Sequence, residues 1–219
     1  MKVELIDVFG DDLTVVNAAR VSFAKESSEL STQDEKLISY LAKHSHISPF
    51  FHPQVRFRLK MPIFLAREWF RHQIGFARNE VSRRYVDTDP EFWMPDMLRE
   101  RDTNKKQGSR DTKIKYNGHC LARMNNHHES CLFLYKDLLS HGVCPEQARA
   151  VLPQSMMTEF VETGSLAAYS RLYKLRSDPT AQREIQELAA QIGNILAAKF
   201  PISWKALTSE SAHPSSSVA

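Results

Sequence analysis

The chain has 219 residues and a formal net charge of +3, with 42% hydrophobic and 25% charged residues. This composition is ordinary for a soluble globular protein, and the length suits one large domain or two small ones. The charge is too small to indicate general nucleic-acid binding, so any recognition of anions is expected to be local. No apolar run approaches the roughly 20 residues that a membrane helix needs, and the N-terminus does not resemble a signal peptide.

The three cysteines lack the C-x-x-C spacing of zinc ribbons, and their odd number argues against a disulfide scaffold. The sequence therefore predicts no metal site and favours a reducing compartment. We expect the protein in the cytoplasm, or in the host cytoplasm if the chain is viral.

The first 61 residues predict two strands separated by two helices. Asp11 or Asp12 can cap the first helix, and the polar run that begins at Ser31 can cap the second. The clearest strand spans Gln54–Met61, where apolar and mostly basic side chains alternate strictly, so that one face is buried and the other basic. The predicted elements are a strand at 2–9, a helix at 11–21, a helix from 31 to about 43 and a strand at 54–61.

The middle of the chain begins with Pro62, which suits the first position of a helix because no amide hydrogen is needed there. This helix is predicted to run to about His72. Gly75 then interrupts the pattern, so residues 71–85 are expected on a loop that leaves a helix. The polar stretch at 87–115 is interpreted as a long surface excursion and a candidate lid.

The second half is predicted to be mainly helical. Its elements are a long helix at 116–140, a short helix opened by Pro145 and ended by Pro153, a strand at 155–162 and helices at 165–174 and 180–199. Residues 1–208 are expected to form a single domain. The Ser- and Pro-rich segment 209–219 is predicted to be a disordered tail.

The most informative stretch is Arg71–Tyr85, which contains four arginines and a single carboxylate, Glu80. Arginine presents its donors in a rigid fork that binds phosphates bidentately, so this cluster indicates an anion site. Two other interpretations stay open from the residues alone. The stretch could be a solvated basic loop, or it could be a nucleic-acid patch.

The same stretch resembles the signature of the flavin-dependent thymidylate synthases, which is Arg-His-Arg followed by Asn-Glu-x-Ser-x-Arg-Tyr. Arg71-His72 matches its first half, and Asn79–Tyr85 matches its second half without a gap. The chain differs from the family in having Gln73 in place of the second arginine, and its spacer is one residue longer. We hypothesise that Arg78 restores the missing guanidinium.

The resemblance extends upstream of the signature. Ser48-Pro49-Phe50-Phe51-His52 resembles a family segment whose histidine, here His52, lies beside flavin and nucleotide. Gln54 occupies a further flavin-contacting position. Glu68 replaces the usual glutamine next to the phosphate site, where an ionised carboxylate would repel phosphate unless it pairs with Arg67 or another arginine.

Two downstream segments also resemble family motifs. In the family, the arginine of the Pro145–Pro153 motif, here Arg149, binds the nucleotide, and the glutamate, here Glu146, helps set the ionisation of that nucleotide. From their spacing alone, these two residues would form a local ion pair. In Leu175-Arg176-Ser177-Asp178, the arginine contacts uracil and favours its N3-deprotonated form. Ser165-Leu166-Ala167 stands where the family often has Asn-x-Arg, so this edge of the flavin site differs.

The resemblance implies an α+β fold with a central, mostly antiparallel sheet flanked by helices, one of them long, and active sites at the subunit interfaces of a homotetramer. It implies reductive methylation of dUMP to dTMP, with FAD as hydride carrier, NADPH as reductant and methylenetetrahydrofolate as one-carbon donor. The implied catalytic residues are Arg176, Glu146 and His52. The implied FAD-binding residues are Gln54, Arg71, His72, Gln73, Arg78, Glu80 and Arg171. The implied dUMP-binding residues are Glu68, Arg71, Glu80, Ser82, Arg83, Arg84, Tyr85, Arg149 and Arg176.

Two alternatives remain at this stage. The departures at Glu68, Gln73 and the longer spacer motivate a diverged flavoenzyme that methylates or hydroxymethylates another pyrimidine nucleotide. A nucleotide- or nucleic-acid-binding protein without catalysis is the other. The family implies neither a nucleic-acid partner nor a membrane.

Overall fold

A four-stranded antiparallel sheet forms the centre of the computed structural model, which describes residues 1–86, 88–103 and 108–209. Its strand order is β1-β2-β6-β3. The strands are β1 (Lys2–Phe9), β2 (Gln54–Pro62), β6 (Met157–Ser165) and β3 (Phe76–Glu80). The mixed helix and sheet composition, the antiparallel sheet and the long helix confirm the expected fold class.

Eight helices accompany this sheet in the described part of the chain. They are α1 (Asp12–Arg20), α2 (Thr32–Lys43), α3 (Ile63–Trp69), α4 (Asn117–Ser140), α5 (Pro145–Ala148), α6 (Leu166–Arg176), α7 (Arg183–Lys199) and α8 (Pro201–Thr208). Short 3₁₀ turns lie at Val21–Phe23, Ser48–Phe51 and Arg149–Val151. None of the helices in the described ranges is long and apolar enough to cross a membrane.

Strand β2 has the two faces that its alternation predicts. Val55, Phe57, Leu59 and Met61 are buried in the core, because successive side chains of a strand point to opposite faces. The basic face carries Arg58, whose guanidinium lies 2.9 Å from Glu159 on β6. The outward charges are therefore partly paired across the sheet.

The caps predicted for the first two helices are confirmed. Asp11 and Ser31 each accept a hydrogen bond from the backbone amide three residues ahead, and each completes a capping box. The last helix, α8, was not predicted from the sequence. Its first turn is capped by Asp12, whose carboxylate accepts from the amides of Ile202 at 3.0 Å and Ser203 at 2.8 Å.

Several predicted boundaries were wrong. Helix α3 ends at Trp69 rather than about His72, β6 lies two to three residues later than predicted, and α7 begins at Arg183. The helix predicted at 165–174 extends to Arg176. The predicted tail, from residue 210 onward, lies outside the described residues.

The polar excursion contains a small hairpin that the sequence did not predict, β4 (Arg99–Arg101) paired with β5 (Ser109–Lys113). The hairpin is held against the start of α7. Arg99 forms an ion pair with Glu184 at 2.7 Å, and Arg183 forms one with Asp111. Whether the hairpin acts as a lid stays a prediction.

Candidate active site

The arginine-rich stretch begins in a loop and continues as a strand. Residues after α3 turn back at Gly75, and Phe76–Glu80 then forms the edge strand β3 paired with β6. The expectation that the whole stretch lies on a loop is therefore wrong for its middle part. Gly75 has φ +83°, and a Cβ there would lie 2.9 Å from the Ala168 Cβ, so only glycine fits this turn.

Arg176 lies against two residues near the beginning of this stretch. Its Nη1 forms an ion pair with the Glu68 carboxylate, its Nε donates to His72 Nε2 at 2.9 Å, and its Nη2 lies 3.5 Å from the Glu68 carbonyl oxygen. Glu68 is in the last turn of α3, and Arg176 is the last residue of α6. Two helix ends thus bring together three of the predicted site residues.

His72 is held neutral by this arrangement. Burial, together with the positive charges of Arg176, Arg78 and Arg171, lowers its pKa to about 4. Because Arg176 donates to Nε2, the imidazole proton lies on Nδ1. At neutral pH the histidine is therefore an acceptor for Arg176 and adds no positive charge.

Arg78 does not extend freely from the loop. Its Nε forms an ion pair with the buried carboxylate of Glu162, its partner on β6. Its guanidinium also lies over the rings of Phe70 and Phe76, 5.2 and 4.7 Å from their centroids. Contact between Arg78 and flavin stays a prediction. In this conformation the Arg78 side chain contacts Glu162 and the two phenylalanine rings instead.

The second half of the signature forms local contacts near the sheet edge. Thr158 on β6 donates to Glu80 at 2.5 Å, and Arg83 donates to the carbonyl oxygen of Thr88. The Ser82 hydroxyl accepts weakly from Arg84. Arg84 in turn lies over the ring of Tyr85 at 5.1 Å. The side chains of Arg71, Gln73, Arg84 and Tyr85 are exposed.

The upstream block lies beside the Gly75 turn. Gln54 donates to the Phe51 carbonyl oxygen at 2.7 Å, and Arg171 lies over the Phe51 ring at 5.5 Å. Arg171 also donates to the Ile74 carbonyl oxygen at 2.8 Å. His52 is exposed at the end of its 3₁₀ turn. Arg171 therefore joins this upstream block to the start of the signature.

Glu146 and Arg149 lie apart from this cluster, exposed on α5 and the following 3₁₀ turn. Arg149 Nε donates to the backbone carbonyl oxygen of Glu146 at 3.3 Å. The local ion pair expected from their spacing is therefore wrong, since the contact joins a side chain to the backbone. Within the described ranges, no hydrogen bond or ion pair joins either residue to the signature.

A cavity of about 1360 Å³ opens beside Arg176. Glu68 and Arg176 form part of its wall, and the β4–β5 hairpin and the segment from α6 to α7 form the rest. No group of three or more His, Cys, Asp or Glu residues suited to a metal ion exists among the residues that the structure describes. The arrangement is thus one of guanidinium groups, a neutral imidazole and carboxylates, suited to an anionic ligand.

A family model described as "Thymidylate synthase complementing protein" matches residues 4–202. The chain belongs to this family. A flavin-dependent thymidylate synthase of Thermosipho melanesiensis is 40% identical over 198 residues, which cover 90% of this chain and 86% of the relative. One of Thermus thermophilus is 38% identical over 204 residues, with coverages of 93% and 74%.

Solved structures of the UMP/dUMP methylase PolB from Streptomyces cacaoi are similar as well. The complex with 5-Br dUMP has a TM-score of 0.81 and 32% identity and covers 94% of both chains. The complex with 5-Br UMP has a TM-score of 0.84 and 30% identity, covering 94% of this chain and 93% of PolB. The family resemblance inferred from the signature is confirmed.

A buried group beneath the signature was not predicted from the sequence. Trp69 Nε1 lies 3.2 Å from both oxygens of Glu162, and Tyr169 packs beside them. A signal was available, because Glu162 occupies a buried position of an alternating strand, between Phe160 and Gly164. A carboxylate in such a position needs a donor nearby.

Proposed function

We propose that the chain is a flavin-dependent thymidylate synthase that converts dUMP to dTMP. The observation that carries this proposal is the contact of Arg176 with His72 at 2.9 Å, which joins the downstream motif at Leu175–Asp178 to the signature. Two motifs 104 residues apart in sequence thereby come into contact, and Arg176 also lines the cavity. Because the family model matches residues 4–202, we interpret this contact as part of the nucleotide-binding site.

Arg176 supplies the charge that this reaction needs. C5 of uracil is a weak nucleophile that gains strength when the ring has anionic character. A guanidinium remains protonated and stabilises such an anion where water is partly excluded. Because His72 is neutral, it orients Arg176 without competing for the anion.

FAD is the proposed cofactor, with NADPH and methylenetetrahydrofolate as co-substrates. The exposed residues fit a ligand that combines an apolar ring with phosphates, because Ile74 (76% exposed) and Tyr85 (77% exposed) lie in the same stretch as exposed Arg71 and Arg84. When bound, the flavin carries the hydride. The protein residues bind and orient it, with Gln54, Arg171 and His52 at the neighbouring edge.

A homotetramer is part of the proposal. Helix α4 has 24 residues, yet its buried residues in the described structure are Asn117, His128 and Tyr135. Phe133 is 74% exposed and Leu134 44% exposed on this helix, which suits burial against other copies. We infer that Arg149 and Glu146, which lie near α4, complete the site of a neighbouring subunit.

Mixing two inactive variants tests the shared site. Arg149→Ala and Arg176→Ala are each expected to abolish turnover, whereas subunit exchange between them should restore part of it, since some sites then contain both arginines. Sedimentation analysis should give four subunits. No recovery in exchanged tetramers would contradict a site built from two subunits.

A second substrate, UMP, is motivated by the PolB structures, which carry 5-Br UMP as well as 5-Br dUMP. Purified protein should show flavin absorbance or take up FAD. Turnover with dUMP, UMP and dCMP, with products identified by mass, then ranks the substrates. We expect dTMP from dUMP. A hydroxymethylated product would indicate the diverged flavoenzyme, and a colourless, inactive protein that binds nucleotide would indicate a binding function.

The proposed location is the cytoplasm. Cys120, Cys131 and Cys144 are all free thiols, which suits a reducing compartment.

A further inference from the structure

The carboxylate of Glu68 contacts an arginine of the candidate active site. The family resemblance places Glu68 next to the nucleotide phosphate, with pairing to an arginine as the expected way to avoid repulsion, and its carboxylate pairs with Arg176. Both side chains are mostly shielded from solvent and both line the 1360 Å³ cavity. Glu68 therefore acts on the arginine proposed to contact uracil.

The protein contacts of Arg176 use some of its N–H donors and leave others available for a ligand. A guanidinium has five N–H groups. One on Nη1 donates to the Glu68 carboxylate, one on Nη2 to the Glu68 carbonyl oxygen and the one on Nε to His72. One N–H group on each Nη has no acceptor among the described residues and can donate to a ligand, such as the N3 or a carbonyl oxygen of a deprotonated uracil.

We propose that Glu68 is a positioning residue that fixes the Arg176 guanidinium plane against His72, so that its two remaining N–H groups meet the pyrimidine. This inference rests on the proposed function for its substrate, although the contact itself exists without nucleotide. Positioning matters because a displacement of about 1 Å at a reacting group can lower the rate roughly 100-fold.

Glu68 has a second, opposing effect through its charge. A carboxylate next to Arg176 offsets part of the guanidinium's charge and disfavours an anionic pyrimidine. Glu68→Gln and Glu68→Ala separate the two effects. The amide oxygen of glutamine can still accept from Arg176 but carries no charge, whereas alanine removes both the acceptor and the charge.

The first measurement needs no nucleotide. We would follow the His72 imidazole by NMR as a function of pH, with the signal assigned by a His72→Gln variant. In Glu68→Ala, Arg176 is released, and the pKa of His72 should rise toward its ordinary value relative to Glu68→Gln, where Arg176 stays in place. Arg78 and Arg171, the other charges that lower this pKa, are present in every variant.

The second measurement uses 5-fluoro-dUMP, whose N3 proton is more acidic than that of dUMP. Its fluorine resonance in the complex reports N3 ionisation. Relative to wild type, Glu68→Gln should lower the pKa of the bound ligand by roughly one unit. Its kcat should exceed that of Glu68→Ala, because the amide oxygen still accepts from Arg176. Glu68→Ala should lower kcat by roughly 10- to 100-fold with a smaller change in KM.

Glu187→Gln is the matched control. Glu187 lines the same cavity but lies 3.5 Å from Arg183, so neither readout should change. Circular dichroism checks that each variant is folded. Identical His72 titrations in the Ala and Gln variants would overturn the positioning role. If the contrast in His72 is found but wild type binds no nucleotide, the positioning contact stands and the proposed function fails.

Discussion

Arg78 on β3 donates to the carboxylate of Glu162, which lies directly opposite on β6 and has no exposed surface. Trp69, at the end of α3, donates to the same carboxylate. Glu162 thus links both the helix before the signature and the strand within it to the core. A buried charge persists only where a partner compensates for lost solvation.

Removal of Arg78 should destabilise the fold. Arg78→Ala leaves the Glu162 carboxylate buried without its cation, for which a loss of about 3–5 kcal/mol in the free energy of unfolding is expected. Urea denaturation measures it. As a control, the double variant Arg78→Met with Glu162→Leu removes both charges and should lie closer to wild type.

The loss in the free energy of unfolding caused by Arg78→Ala should also depend on pH. Burial raises the pKa of Glu162 above its ordinary value of 4.5, and Arg78 opposes this rise, so Arg78→Ala raises it further. An acid with a raised pKa in the folded state destabilises the protein as the pH increases through that pKa. The variant's deficit should therefore be larger at pH 8 than at pH 5. An equal deficit at both pH values would contradict ionisation of Glu162.

The lowered pKa of His72 predicts that part of the free energy of unfolding is lost in acid. Burial and three arginines lower its pKa from 6.5 to about 4, so between these values the unfolded chain binds more protons. Stability from this group is full above pH 6.5 and is lost as the pH falls toward 4. His72→Gln keeps an acceptor for Arg176 and should lose less stability between pH 7.5 and 4.5 than wild type does. Parallel losses would refute this assignment.

Much of the fold follows from local signals in the sequence, and the site follows from motifs. The β2 alternation and the Asp11 and Ser31 caps are local, so they predicted the elements well. The Glu68–Arg176 contact joins residues 108 apart, and sequence spacing contains no information about such a pair. The motifs identified both residues, but only the fold showed that they touch.

The missed helix α8 has a similar explanation. Pro201 follows directly after Phe200 and was compatible with the end of a helix, although proline also suits a first turn. The cap comes from Asp12, 190 residues away. Asp12→Ala should lower the free energy of unfolding by about 1–2 kcal/mol, because two amides at the start of α8 lose their acceptor. Asp12→Asn should retain more stability, as measured by urea denaturation, and equal losses would argue against capping.

The ion pair between Arg99 and Glu184 is expected to hold the β4–β5 hairpin against α7. Burial of Glu184 would raise its pKa, but hydrogen bonds from its own amide, Arg99 and Gln182 outweigh this and lower it. The attachment is thus present above pH 4.5 and lost in acid. Arg99→Ala should speed hydrogen exchange at Ser109–Lys113 at pH 7 while leaving core strand β2 protected. Arg101→Ala, on the same strand, is the control, and unchanged exchange in Arg99→Ala would exclude anchoring by this pair.

The sharpest test of the active site is a change of Arg176 that keeps its charge. Lysine cannot donate in the fork geometry that reaches Glu68, His72 and a ligand together, so Arg176→Lys should lower kcat for dTMP formation by roughly 100- to 1000-fold, as for the loss of one preorganised donor at a developing anion. Flavin absorbance should persist. Arg183→Lys, on the wall of the same cavity but paired with Asp111, should retain activity. If Arg176→Lys turned over dUMP at the wild-type rate, stabilisation of the pyrimidine anion would have to come from another cation, and exposed Arg71 and Arg84 would be the next residues to substitute.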